Sequence, residues 1–523
     1  MQNSLTKLTQ ALVHAYDKDY SEHHDQTISV NPLVAELATW YEKLRTAMDY
    51  RDDEVILRSA IERILKRRLI LGGNGSTIAA PLIRELIWAR YFPDSSIGES
   101  VVSKVAQTID LFLRFEKEVN EKYRINRSVV SEWMLNILSS EIEYILKPDN
   151  HKDLMSNFIY QIFRQRITIS DDTAEIKDIQ TFIAVRRAYA NDDLPFLRYH
   201  LFLQYFGKIT AQNLEQVVDH FMAGFKTIQE QLNYPLKNKL FVYIDNQKIP
   251  FLILDDVFKK NQGRIFSLVS DEDQLNLAIL NACSQRYKSV VGKVRRAIIR
   301  SVIFIFFTKA IFALFVEGSF ENLIYGKIAW SSIALNTLTP PLLMVMVGLF
   351  IQTPSRENSF KIQKKIDSIL FEENPTLAEP LIVHKIPKKT DPILWSLFIL
   401  LWLTTFAISF GALIFLLTKL KVNPISQGVF VFFIAIVSFI SYRINRTANM
   451  YMIKDKKENL ASLFFDFFFM PFIQVGRRLT LAVSQINILL FIIDFIIEAP
   501  FKGIFAFFEQ WLLFLRTQRE KLD

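Results

Sequence analysis

The sequence predicts an all-α chain in two parts: a cytoplasmic helical N-terminal domain, then an α-helical polytopic membrane domain of about four transmembrane helices that ends in C-terminal interfacial amphipathic helices. Three observations carry this. Four apolar stretches, near 301–317, 328–351, 392–417 and 424–442, follow about 300 residues that contain none. The first half keeps apolar residues at spacings of three and four. Lysine and arginine gather at alternate ends of the apolar stretches.

A crossing helix needs about 20 apolar residues to cover a hydrocarbon core of about 30 Å. The second, third and fourth stretches reach that length; the first, SVIFIFFTKAIFALFVE, is shorter and carries Lys309. The turn GSFENLIYG would pair the first two as a hairpin. Phenylalanine numbers 45 and is concentrated in the second half, where lipid tolerates bulky apolar surface.

Basic flanks set the orientation. Arg286, Lys288, Lys293, Arg295, Arg296 and Arg300 precede span one; Arg356, Lys361, Lys364, Lys365, Lys385, Lys388 and Lys389 separate spans two and three; Arg443, Arg446, Lys454, Lys456 and Lys457 follow span four. The opposite connections hold only Lys327, Lys419 and Lys421. Lysine and arginine stay on the cytoplasmic side, so both termini are expected there, in an inner membrane. The expected divisions are a cytoplasmic domain over 1–290, a linker helix and first hairpin over 291–351, a cytoplasmic loop over 352–391, a second hairpin over 392–445, and a cytoplasmic or interfacial helical region over 446–523.

In the soluble half, Leu33, Leu37, Trp40 and Leu44, and again Val101, Val105, Ile109 and Leu113, mark amphipathic helices. The segment KLFVYIDNQKIPFLILDDVF is rich in β-branched and aromatic residues, so a short β-hairpin near 239–255 is the alternative to helix there. Ser270 with Asp273 resembles a helix start, and no proline follows before Arg300, which predicts one helix running from the soluble domain into span one.

Beyond span four, LASLFFDFFFMPFI is short and carries Asp466, and the stretch INILLFIIDFIIEAPFKGIFAFFEQWLLFL is broken by Asp494, Glu498, Pro500, Lys502 and Glu509. Helices lying in the interface, with acids toward water, fit this pattern.

The net charge of +8 lies beside the apolar spans and not in one extended patch, which points to anionic lipid headgroups, with contacts at Arg295, Arg296, Arg300, Lys388, Lys389, Arg443 and Arg446, and away from nucleic acid. The single Cys283 excludes an internal disulfide. High phenylalanine, isoleucine and lysine with one cysteine points to a prokaryotic chain.

Motifs for chemistry are sparse. LILGGNGSTIAAPLIREL lacks the lysine of a phosphate loop, so Ser76 or Thr77 capping a helix is the expected reading. Glu22, His23, His24 and Asp25 lack the spacing of known metal sites, and no catalytic motif, cofactor site or metal site is expected. Lys309 is the residue of most interest, because an ionisable group within a span is costly and functional by default; its bland alternative is a structural pair with Asp466 or Asp494. In span two, Asn336, Pro340 and Pro341 predict a kinked or broken helix.

The reading that follows is a multi-pass membrane protein serving as a non-enzymatic scaffold, its soluble domain binding a protein partner. A channel or transporter using the polar residues of the first two spans is the alternative, and a membrane-bound enzyme the third class.

Overall fold

The computed structural model describes residues 5–18, 56–70, 72–123, 126–326, 330–377, 379–385, 392–420, 422–453 and 460–484, with 507, 511, 514 and 515. Asp494, Glu498, Glu509, Lys388, Lys389 and the Glu22 to Asp25 cluster lie outside the described residues.

Helical periodicity becomes a first core built by α2 (Ile56–Ile70), α3 (Gly75–Trp88), α4 (Glu99–Lys122), α5 (Arg127–Leu146), α8 (Leu194–Phe206) and α9 (Leu214–Leu232). Trp133 and Phe115 sit fully buried at its centre, edge to face with Phe221. A second core joins α1 (Lys7–Lys18), α6 (Asn150–Arg164), α7 (Ala174–Ala188), α10 (Lys237–Asp245), α11 (Ile249–Lys260) and α12 (Ile265–Ser270). The segment where a hairpin was the alternative is therefore two helices, α10 and α11. Its β-branched residues serve as helical core, with Ile244, Ile249, Ile253 and Val257 all buried.

Helix α13 runs unbroken from Glu272 to Phe312, 41 residues that rise about 60 Å. Asp271, not Ser270, caps it, its side chain accepting the Gln274 amide. The lower half packs in the second core through Leu275, Ile279 and Cys283, and the upper half exposes Ile303, Phe304, Phe307 and Ile311. A π-helical segment, Ala313–Gly318, follows, then α14 (Ser319–Tyr325), which Gly326 ends in left-handed geometry at φ 61°.

Helix α15 (Trp330–Phe350) stays helical through Pro340 and Pro341, so of the kinked or broken helix expected there, the break does not occur. Both prolines are buried, and each lacks the amide that would bond the carbonyl four residues back, at Asn336 and Thr337.

Within 352–391, expected to be a cytoplasmic loop, Arg356–Phe371 is helical and Leu381–Val383 is a strand, and both pack into the second core. Helix α16 (Arg356–Phe371) buries Ile362, Ile366, Ile369 and Leu370 against α11 and α13. Strand β2 (Leu381–Val383) pairs in parallel with β1 (Ile167–Ile169), Ile167 opposite Leu381 and Ile169 opposite Val383. This pairing is the departure from an all-helical fold among the described residues, and three residues per strand is too short a run to stand out in sequence.

Among the described residues three helices are long and apolar enough to cross a membrane: the run Glu272–Gly318, α17 (Pro392–Lys419) and α18 (Pro424–Ala448). Nearly every apolar side chain of α17 faces outward, Ile393, Trp395, Phe398 and Phe415 among them, as lipid contact requires.

Helix α19 (Leu460–Ser484) forms the first part of the tail. It packs along α18 and against α17. A Cβ placed on Gly476 would lie 2.0 Å from the Ala435 carbonyl oxygen, near the middle of α18, and Phe472 is buried 4.6 Å from the Phe410 ring of α17. The absence of a side chain at Gly476 lets two backbones touch, and that contact holds α19 in the bundle.

Candidate functional site

Lys309 lies near the end of α13, wholly buried. Its ammonium pairs with Glu317, also wholly buried, and stands 5.3 Å over the Phe433 ring of α18. In a regular α-helix two residues eight apart are about 12 Å apart along the axis and about 80° apart around it. The π-helical turn over Ala313–Gly318 changes that phase, and the lysine stem closes the remaining gap.

Two further helices complete the site. The Asn336 amide nitrogen of α15 donates to Glu317 Oε2 at 2.7 Å, and the Ser426 hydroxyl of α18 donates to the same oxygen at 2.8 Å. Asn336 and Ser426 are both buried. Ser426 lies in the first turn of α18, where the helix dipole also favours the carboxylate. The Glu317 charge is thus met by one cation and two donors from three helices. A buried charge so surrounded is tolerable, whereas either half alone is not.

The acid expected to meet Lys309 was Asp466 or Asp494; the acid that does is Glu317. It closes span one in the sequence and reads there as the edge of the span. The fourth apolar stretch, which carries no charge, supplies Ser426 and the Phe433 ring. Asp466 falls within α19, and Pro340 and Pro341 are buried one turn beyond Asn336.

A second polar cluster joins α11, α13, α16 and the segment after α18. Arg286 of α13 forms a two-point pair with Asp256 at 2.5 and 2.6 Å and donates to the Tyr451 hydroxyl at 2.9 Å. The pairing with Asp256 raises the Arg286 pKa against the opposing effect of burial. Asn358 of α16 donates to the Tyr287 hydroxyl and to the Tyr451 carbonyl, both at 2.7 Å, and accepts the Ile453 amide at 2.8 Å. Residues preceding the first apolar stretch, between the second and third, and following the fourth therefore touch one another. The expected headgroup contacts Arg295, Arg296, Arg300, Arg443 and Arg446 are all exposed just above this joint.

Between the two cores of the soluble half, charged groups close on one another. Arg186 donates to Asp192 at 2.6 Å and to Asp153 at 2.5 Å, and it lies 2.7 Å from His200 Nε2. Burial disfavours ionised Asp192, but Arg186 and His200 outweigh it and hold the carboxyl below its ordinary range. Burial, then Arg186, lowers His200. Arg58 joins Asp193 at 2.7 Å and Glu62 of its own helix. Glu143 is pushed up to about 7, burial being the largest cause and Lys152 and Arg58 drawing it partly back.

The glycine loop before α3 is a cap. Asn74, and not Ser76 or Thr77, is the N-cap, in a reciprocal arrangement with Thr77. The Gly75 amide donates to Asp110 Oδ1 at 2.7 Å, so a carboxylate of α4 already holds the anion position at this helix start. Among the described residues no group of three or more His, Cys, Asp or Glu side chains is placed to hold a metal.

No family model, no curated protein and no solved structure matches the chain.

Proposed function

We propose that this chain is a multi-pass inner-membrane protein that acts as a non-enzymatic platform, presenting its helical domain to a protein partner at the cytoplasmic surface. The observation that carries the reading is the joint at Asn358, which ties α13, α16 and the segment after α18 together through buried hydrogen bonds. With α13 unbroken through the joint, the soluble domain is held at a set position relative to the bundle, as a platform requires. The charged groups of the domain close on one another, which suits a structural role.

Four crossings, made by the end of α13, α15, α17 and α18, suit the contacts, because each hairpin then returns the chain to the domain. Lysine and arginine place that side in the cytoplasm. The packing of α19 on the middle of α18 favours a further crossing by α19. Strong activity from a periplasmic reporter fused just before residue 300 would overturn the orientation.

A transport reading has one specific observation in its favour: Lys309, Glu317, Asn336 and Ser426 converge from three membrane segments. Purified chain in proteoliposomes separates the two readings. The platform reading expects proton and potassium flux no greater than in empty liposomes, and flux abolished by Glu317→Gln would replace it with transport.

A further inference from the structure

A groove of about 530 Å³ lies where α13 and α16 meet, on the soluble side of the bundle. It follows one face of α13 from Leu280 to Val291, about 16 Å along the axis. Lys288 and Arg356 line it, and no acidic residue does. Both cations are exposed, and among the described residues neither has a carboxylate partner; Arg356 has only the Phe360 ring, 5.8 Å away. Arg58, Arg186 and Arg286, by contrast, are each closed by acids. Two unneutralised cations facing one cavity raise its potential and favour an anion there.

The remaining walls define that anion further. Ser284 and the Tyr287 hydroxyl offer donors, as phosphate oxygens require. Leu280 and Val291 add an apolar wall suited to a ligand with a hydrocarbon part. The upper end, at Val291, stands seven residues before Ile298, where α13 meets Gly348 of α15, a rise of about 10 Å from the bundle.

We infer that this groove binds a phosphate ester, held by Lys288 and Arg356. Its source is either an anionic phospholipid reaching down from the cytoplasmic leaflet or a soluble organic phosphate. Tyr287 and Ser359 connect the site to the joint: the Tyr287 hydroxyl accepts from Asn358 at 2.7 Å and pairs with Ser359 at 3.3 Å. Occupancy is therefore felt by the contact that sets the domain on the bundle. The site stands independently of the platform reading, because either a platform or a transporter could carry it.

The test is calorimetric titration of the whole chain in uncharged detergent with three probes: dioctanoyl phosphatidic acid, dioctanoyl phosphatidylcholine and glycerol 3-phosphate. Saturable one-to-one binding of phosphatidic acid is expected, with phosphatidylcholine much weaker. Lys288→Gln with Arg356→Gln should weaken binding on the order of tenfold or more, because each removes a charge-assisted contact. Lys226→Gln with Lys239→Gln, exposed on α9 and α10 outside the groove, should leave binding unchanged. Equal binding of glycerol 3-phosphate assigns a soluble source; binding of phosphatidic acid alone assigns lipid. Absence of saturable binding by both, or equal weakening by the two variant pairs, overturns the site. The single variants, each at an exposed position, repeat the comparison should the double variant unfold.

Discussion

Ser426 donates its hydroxyl to Glu317 Oε2 at 2.8 Å, across 109 residues of sequence and from one membrane segment to another. With Lys309 and Asn336 it turns a carboxylate that would be prohibitive in lipid into a clasp joining α13, α15 and α18. The clasp carries the first expectation. Lys309→Met or Glu317→Gln alone leaves an uncompensated buried group and should cost roughly 3–5 kcal/mol, whereas the double variant should recover most of that loss. Denaturant titration of the reconstituted chain measures it. Simple addition of the two single losses would mean that the side chains do not act as a pair.

The joint can be tested at one side chain. Asn358→Ala removes two donated hydrogen bonds and one accepted bond, and strands the Tyr451 carbonyl and the Ile453 amide. A loss of about 1–3 kcal/mol is expected, since stranded buried groups carry their full desolvation penalty. Amide hydrogen exchange provides the local readout: the Ile453 amide should exchange faster while the first core, built on Trp133, keeps its protection.

Gly476 bears on the position of α19. Any Cβ there meets the Ala435 carbonyl oxygen at 2.0 Å, and backbone cannot move aside as a flexible side chain would. Gly476→Leu should therefore separate α19 from α18 and lower the thermal midpoint of the purified chain by several degrees. Gly411→Leu on α17, where a Cβ meets nothing, is the matched control and should leave the midpoint nearly unchanged.

Glu143 supplies a pH dependence. Its carboxyl rises from an ordinary 4.5 to about 7 in the folded protein, with burial as the main cause. The folded state therefore holds this proton more tightly than the unfolded state does, and stability is lost as pH rises from about 4.5 to about 7 and changes little above. Glu143→Gln removes that contribution and should stabilise the chain at pH 8 by about 1–3 kcal/mol relative to pH 5. Parallel melts of wild type and variant at the two pH values test it, and equal pH dependence in both would show that Glu143 ionises normally.

The helical character of the soluble half was legible because three- and four-residue spacing is a local property; Val105 and Ile109 are core residues as that spacing implies. The continuous α13 was legible for the same reason: an unbroken run without proline has no local cause to stop. Segment 237–260 was ambiguous, because a short apolar run suits a strand or a helix equally, and packing into the second core selected helix. The role of 352–391 was hidden. Its apolar residues at 362, 366 and 369 serve a core whose members reach back to Leu12, 350 residues before Ile362, and the register of β1 on β2 exists only once both reach the same place.

For the polar site, Lys309 and Asn336 announced themselves as polar residues within apolar spans, where lipid makes any such group conspicuous. Glu317 and Ser426 did not, because each stands at the end of a span, where polar residues are ordinary. Sequence alone determined that apolar segments follow a helical domain, and it supplied the charge asymmetry behind the proposed orientation, since composition acts segment by segment. Tertiary structure decided which acid meets Lys309, where α19 lies and how the soluble domain is tied to the bundle. Those outcomes depend on helical phase, on a π-turn that shifts it, and on a backbone contact that only a glycine permits.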